Sequence, residues 1–260
     1  MSRDYVMLAD TTRCIDCKAC VVACRSEWDV PLGYSRDWVA SAETRTEAGR
    51  PQLHFFPGRC QHCVDAQCID ACPTGAVFKR DDGLVLLEPG LCSGCELCVP
   101  ACPYGARWLD PQTGVVDACT FCQPLVDAGR QPACVASCPT HALIFGDAAD
   151  PDSEVSRRLE ADGDWFTLST DEVDCRPRHY YRTGDREVPP SMLPEPPEPY
   201  WTQRASESVV NPLARLGIGG MAALFALAGA KRFLDRRRGG SGEHEHADGT
   251  RAAREGGGDE

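Results

Sequence analysis

CSGCELCVPACPYGAR, residues 92–107, sets four cysteines at Cys92-x2-Cys95-x2-Cys98-x3-Cys102 and follows the last with Pro103. Variants of this rhythm occur three more times. Cys14-x2-Cys17-x2-Cys20-x3-Cys24 comes first, then Cys60-x2-Cys63-x4-Cys68-x3-Cys72 before Pro73. Cys119-x2-Cys122-x11-Cys134-x3-Cys138, before Pro139, comes last. Four fours account for sixteen of the 17 cysteines in this 260-residue chain, and only Cys175 stands apart.

Such crowding needs a chemical cause, and disulfides, zinc and iron–sulfur clusters are the candidates. Disulfide scaffolds are short secreted chains, whereas this count is odd and residues 1–9 offer only the apolar run 6–9, too little for a cleavable signal. Structural zinc sites need two cysteine pairs and a spacer, not a triple followed by Cys-Pro. Three thiolates two residues apart can wrap one corner of an iron–sulfur cube. The fourth, three residues on, is expected to start a helix leading away and to ligate a neighbouring cluster, as in two-cluster ferredoxins. Motifs that exchange a ligand work in pairs, and here there are four. The formal charge of −12 excludes nucleic acid as a partner, since phosphate binding needs a basic face.

The repeat extends beyond the cysteines. Each Cys-Pro is followed by a turn and a short apolar stretch, at 73–79, 103–109 and 139–145. Asp81-Asp82-Gly83 and the 110–114 segment then read as hairpin turns that deliver the chain to the next cysteine loop. Residues 5–9 read as the strand feeding Cys14. The fold expected is α+β, with two pseudo-symmetric, bacterial-ferredoxin-like dicluster units in residues 1–187. Motif one departs from the plan: Arg25 replaces the proline, and an insertion at 25–59 holds Trp28, Trp38 and a strand at 52–56. It reads as a surface excursion covering a cluster, with a docking surface as the other reading. His62, between Cys60 and Cys63, is expected to shape a cluster environment, and Cys175, with no companion cysteine, to be an inert thiol. No paired carboxylates or nucleophile–base arrangement marks a reaction centre, so the chain is expected to be non-catalytic.

Residues 92–107, 114–122, 132–134, 145–147 and 150–155 together resemble the four-cluster iron–sulfur beta subunits of the DMSO-reductase superfamily of molybdopterin oxidoreductases. Those of polysulfide, thiosulfate, tetrathionate and arsenate reductases and of formate dehydrogenase are the most similar. The resemblance covers roughly residues 5–182 and departs from the family at Ala118, where a lysine is common. It implies four [4Fe–4S] clusters, with iron bound by the sixteen cysteines, and pairs motif one with four and motif two with three. Cluster A would take Cys14, Cys17, Cys20 and Cys138, and cluster B Cys24, Cys119, Cys122 and Cys134. Cluster C would take Cys60, Cys63, Cys68 and Cys102, and cluster D Cys72, Cys92, Cys95 and Cys98. The implied function is electron transfer between a polytopic, quinone-reactive membrane anchor subunit and a molybdopterin-containing catalytic subunit. A ferredoxin-like module of a hydrogenase or soluble dehydrogenase complex is the alternative.

Beyond residue 187 the composition changes. Six prolines in residues 188–199 begin an extended linker to 208. Residues 216–230 carry no charge, and a single transmembrane helix is expected within 209–234. The basic run 231–238 follows it, and a polar tail, expected to be disordered, occupies 235–260. By the positive-inside rule the C-terminus is cytoplasmic and the cluster domain periplasmic, at a bacterial inner membrane; the cytoplasmic face is the alternative. The chain carries no twin-arginine signal in this reading, so export as the folded passenger of a signal-bearing partner is expected.

Overall fold

The computed structural model describes residues 3–45, 49–184, 188 and 193–196, all within the first of the two units into which the chain divides, Met1–Gln203. In chain order the elements are β1 (Tyr5–Asp10), α1 (Ala19–Trp28), β2 (Asp37–Arg45), β3 (Pro51–Arg59), α2 (Gln67–Asp70), β4 (Val77–Lys79) and β5 (Val85–Leu87). A 3-10 turn at Pro89–Leu91 leads on to β6 (Trp108–Leu109), β7 (Val116–Asp117), α3 (Gln123–Asp127) and α4 (Ala133–Ala136). The last elements are β8 (Leu143–Asp147), α5 (Glu154–Asp162), β9 (Phe166–Thr167) and β10 (His179–Arg182). Among the described residues no helix is long and apolar enough to cross a membrane. The span expected within 209–234, the tail and most of the linker lie outside those residues.

The strand that feeds motif one and the strand that leaves motif four are neighbours. β1 pairs antiparallel with β8, from Tyr5↔Asp147 to Ala9↔Leu143, and parallel with β10 on its other edge. All six β1 residues are buried, because both faces of the sheet are covered. Tyr5, Met7 and Ala9 pack toward the cysteine loops with Phe121, Leu143 and Phe145. Val6 and Leu8 pack with Ile144 and Val155, the latter from α5. Full burial of a valine such as Val155 stabilises by roughly 1.5–3 kcal/mol. Ser153 caps α5 by accepting the Ser156 N–H at 3.1 Å, and Gly163 ends it at φ +63°.

Motifs two and three are linked by the hairpin β4–β5 and followed by the hairpin β6–β7. Both turns fall where the turn signals at 81–83 and 110–114 place them, closing on Arg80 N–H to Leu84 O and Asp110 N–H to Val115 O, each 2.9 Å. A second, smaller core of Val77, Val85, Val116, Cys68 and Cys98 lies there. The chain thus folds as two ferredoxin-like dicluster units.

Two expectations need correcting. The fourth cysteine does not start a helix; in motifs two and four it follows one. α2 holds Cys68 and stops before Cys72, and α4 holds Cys134 and stops before Cys138. The proline after each fourth cysteine disfavours helical backbone at that cysteine, so the helix must run ahead of it. In motif one no proline intervenes, and α1 carries both Cys20 and Cys24 on to Trp28. The insertion, too, is more than an excursion. β2 and β3 form a hairpin from Asp37↔Arg59 to Arg45↔Pro51, longer than the expected strand at 52–56. Its outermost strand residues, Arg45 and Pro51, are exposed, but its base is buried. There Trp38 sits opposite Gly58, where a Cβ would come within 2.4 Å of the indole. A glycine is what lets the tryptophan close over β3.

Candidate iron–sulfur site

All four cysteine loops share one backbone device. The residue just before the second cysteine is left-handed in each: Asp16 (φ +55°), His62 (+44°), Gly94 (+66°) and Phe121 (+53°). Where a second x2 spacing follows, so is the next residue after that cysteine, Lys18 (+58°) and Glu96 (+61°). A non-glycine residue there costs about 1–2 kcal/mol, so the loops hold a curvature that extended chain would not adopt. Left-handed residues at such bends can turn backbone N–H groups to the concave side of a loop, which favours an anionic guest.

Thiols from different motifs are brought together. Burial pushes the Cys14 thiol up, and neighbouring Cys138 and Cys17 add to that. Cys14, Cys17, Cys20 and Cys138 line one cavity. Burial also pushes up Cys24, which feels Cys134 and Cys122, and Cys134, which feels Cys119 and Cys122. In the other unit burial pushes Cys60 up to about 12, with Cys102 and Cys68 beside it. Cys98 is pushed up to about 11 by burial, with Cys68 and Cys72 near. Cys72, Cys92 and Cys98 share one packed core, and Cys95 lies in the same loop between left-handed Gly94 and Glu96.

Among the described residues no three side chains of His, Cys, Asp or Glu gather tightly enough to hold a single metal ion. Thiols drawn from two motifs suit the ligand exchange of a dicluster ferredoxin better than a zinc site built from two cysteine pairs and a spacer. Buried together, these thiols resist ionising, and a cationic metal core is what allows it. The donor set therefore fits an iron–sulfur cluster, and loading it must release protons.

The cysteine ahead of proline receives its own donors. At Cys138 burial pushes the thiol up, but the Leu143 N–H, the Thr140 hydroxyl and the Ala142 N–H outweigh it and lower the thiol below its ordinary value. The Ala142 N–H is 3.3 Å from Sγ. Cys72 is lowered in the same way, against burial, by Val77 N–H, the Thr74 hydroxyl and Ala76 N–H. Cys102 receives Ala106 and Tyr104 N–H groups, but there burial prevails and the thiol is raised. The fixed proline φ folds the next residues back over the sulfur.

At the junction of the two units, His62 stacks on Phe121 with centroids 3.7 Å apart. Cys119 and Cys60, one from each unit, are close enough to interact. His62 Nδ1 accepts the Val85 N–H at 2.9 Å, and burial drops the imidazole to about 3, so it stays neutral with its proton on Nε2. Cys175 has a neighbour in space, Cys63, that its sequence position does not show. Its side chain, buried at 1% exposure, lies near enough to Cys63 to push that thiol up together with burial. Its segment also accepts the Asp65 and Val64 N–H groups, clamping motif two.

Sequence reasoning missed two buried guanidiniums. Arg59, fully buried, donates Nη2 to Asp37 Oδ1 at 2.7 Å and leaves Nε and Nη1 without partners. Burial opposes its charge, but Asp37, Cys134 and Cys119 more than offset that. Arg107, at 4% exposure, leaves Nε and Nη1 without partners too, and burial of its charge is offset by Cys68, Cys60, Cys98 and Cys102. The adjacency Arg59-Cys60 was the one local signal. Trp28 was missed as a donor: its Nε1–H reaches Cys122 Sγ at 3.2 Å.

Interleaved thiol loops on a ferredoxin-like frame define an iron–sulfur protein of the dicluster class. Two models described as "4Fe-4S dicluster domain" match it, over residues 51–148 and 13–76. Protein NrfC of Escherichia coli strain K12 is 45% identical over 157 residues, covering 60% of this chain and 70% of NrfC. The thiosulfate reductase electron transfer subunit PhsB of Salmonella typhi is 46% identical over 148 residues, 56% of this chain and 77% of PhsB. A tetrathionate reductase subunit of Salmonella typhimurium is 38% identical over 178 residues, 68% of this chain and 71% of that protein. The chain belongs to this family, the iron–sulfur electron-transfer subunits of molybdopterin oxidoreductases.

Proposed function

We propose that the chain is the non-catalytic conductor of a membrane-bound reductase, binding four [4Fe–4S] clusters between a quinone-reactive membrane subunit and a molybdopterin catalytic subunit. The observation that carries this is the interleaving of thiols, with Cys14 beside Cys138 and Cys24 beside Cys134 and Cys122. It supports the ligand sets A to D given above, each taking its fourth cysteine from the paired motif. Each cluster, when bound, accepts and gives up one electron. The protein holds the thiolates, excludes water from the buried ones, and brings its two units together where Cys60 adjoins Cys119. Exposed Ile15 and Val22 near exposed Cys17, and exposed Phe78 and Leu91 by motif three, are surfaces suited to the two partners. The C-terminal span, the linker and the periplasmic placement of the cluster domain belong to the same proposal. They rest on the apolar run 216–230 and the basic run 231–238.

The purified complex should hold about sixteen irons per copy of this chain, contain molybdenum or tungsten, and give four low-temperature EPR signals on reduction. Zinc in place of iron, with no signal, would refute the cluster reading. A reporter fused to the C-terminus and active only in the periplasm would refute the orientation.

A further inference from the structure

Each unit buries one guanidinium among thiols of both its motifs. Arg107 neighbours Cys60, Cys68 and Cys102 of one ligand set and Cys98 of the other. Arg59 neighbours Cys119 and Cys134, and its charge is also felt by Cys20. The two differ in compensation. Arg59 is ion-paired with the equally buried Asp37. Among the described residues no carboxylate pairs with Arg107, whose Nε and Nη1 have no partner. A buried donor without a partner is costly, so some acceptor is expected opposite each. The groups that bear most on the Arg107 charge are four thiols.

We propose that Arg107 raises the reduction potentials of the two clusters held by motifs two and three, and that Arg59 does so only weakly for the other two because Asp37 neutralises it. This rests on the four-cluster reading. Reduction adds one electron to a thiolate-ligated group that is already negative. A fixed positive charge in a dry interior favours the added charge and shifts the equilibrium toward the reduced form. Hydrogen bonds to thiolate sulfur act in the same direction. Arg107 is a positioning and electrostatic residue here; it binds no iron.

The test is an EPR-monitored redox titration of the purified complex, with iron counted in every sample. In Arg107→Gln, two of the four midpoints should fall by about tenfold or more in the reduction equilibrium, 59 mV for a one-electron step, and two should stay. Arg107→Lys, which keeps the charge, should shift the same two by less. Asp37→Asn keeps an acceptor for Arg59 but removes the compensating charge, so the other two midpoints should rise. A purely structural role would lower iron content without this split. The proposal is overturned if Arg107→Gln, with its iron intact, leaves all four midpoints unmoved or moves all four alike. If Arg107→Gln sheds iron, Arg107→Lys and Asp37→Asn decide, and the proposal is overturned if the first leaves the midpoints of motifs two and three unmoved or the second raises none. A wild-type complex holding far fewer than about sixteen irons would instead sink the four-cluster reading itself.

Discussion

Gly94→Ala should strip iron from motif three, whereas Gly105→Ala, further along the same segment, should leave it in place. Both glycines have left-handed backbone, φ +66° and +59°, so both substitutions incur the same conformational cost of about 1–2 kcal/mol. They differ in what a methyl group would meet. At Gly105 nothing lies within 4 Å, whereas at Gly94 a Cβ would fall 2.6 Å from the Gly114 carbonyl oxygen. That carbonyl belongs to the β6–β7 turn, pinned by the Gly114 N–H donating to Asp110 O at 2.8 Å, so it cannot withdraw without opening the hairpin. Overpacking of this kind costs a further 1–3 kcal/mol or so. For a domain of this size each kcal/mol is about 2–4 °C of melting temperature. The difference between the two variants should therefore be measurable as an earlier loss of cluster absorbance on heating, with lower iron content in Gly94→Ala. Equal destabilisation of the two would refute the reasoning, because it would leave backbone strain as the whole effect.

Three further outcomes follow from the same geometry. Thr74→Val and Thr140→Val remove the hydroxyls 3.6 and 3.7 Å from Cys72 and Cys138 Sγ; each should weaken sulfur solvation by roughly 0.5–1.5 kcal/mol, read as faster iron release to a chelator. Trp28→Phe keeps an aromatic ring but loses the Nε1–H donor to Cys122, and should speed iron loss from motif four at a cost of about 1–2 kcal/mol. His179, pressed by burial and by Arg59 and His62 well below its ordinary pKa, also faces Gln61 and Tyr181. The unfolded chain takes up a proton that the folded chain refuses, so stability falls as pH drops below about 6.5, by at most about 1.4 kcal/mol per unit. His179→Gln should flatten that dependence in denaturant titrations at pH 7 and 5.5; an unchanged slope would rule the residue out.

Features encoded locally are legible in the sequence, and features encoded by distant contacts are not. The strand feeding Cys14 and the hairpins turning at 81–83 and 110–114 follow from short-range pattern, and they stand close to where that pattern puts them. The helices are harder to place because a cysteine spacing of three fits either side of a turn, and only the backbone restriction imposed by the following proline decides. Cys175 looks solitary in sequence because its companion, Cys63, lies in a distant part of the chain, and no periodicity announces such a contact. Asp37 and Arg59 are cross-strand partners in a hairpin of which the sequence pattern marks only one strand. A buried arginine is the hardest case, since an arginine in sequence reads as surface.

Motif one shows how a departure from the repeat is compensated elsewhere. With Arg25 in place of proline, the backbone after Cys24 stays helical, and its N–H groups serve α1. They cannot fold back over the Cys24 sulfur as those after Cys72 and Cys138 do. The longer helix instead carries Trp28 to Cys122, whose thiol lies beside that of Cys24. The indole is held there by Arg36, which lies over it at 5.0 Å and is itself paired with Asp117 of β7 at 2.7 Å. A donor that the other motifs draw from their own backbone is here supplied by a side chain reaching across to the paired motif. The insertion then makes physical sense as the support of that reach, because Arg36 and Asp37 stand at the entry of its hairpin. One orients Trp28, and the other holds Arg59 among the thiols.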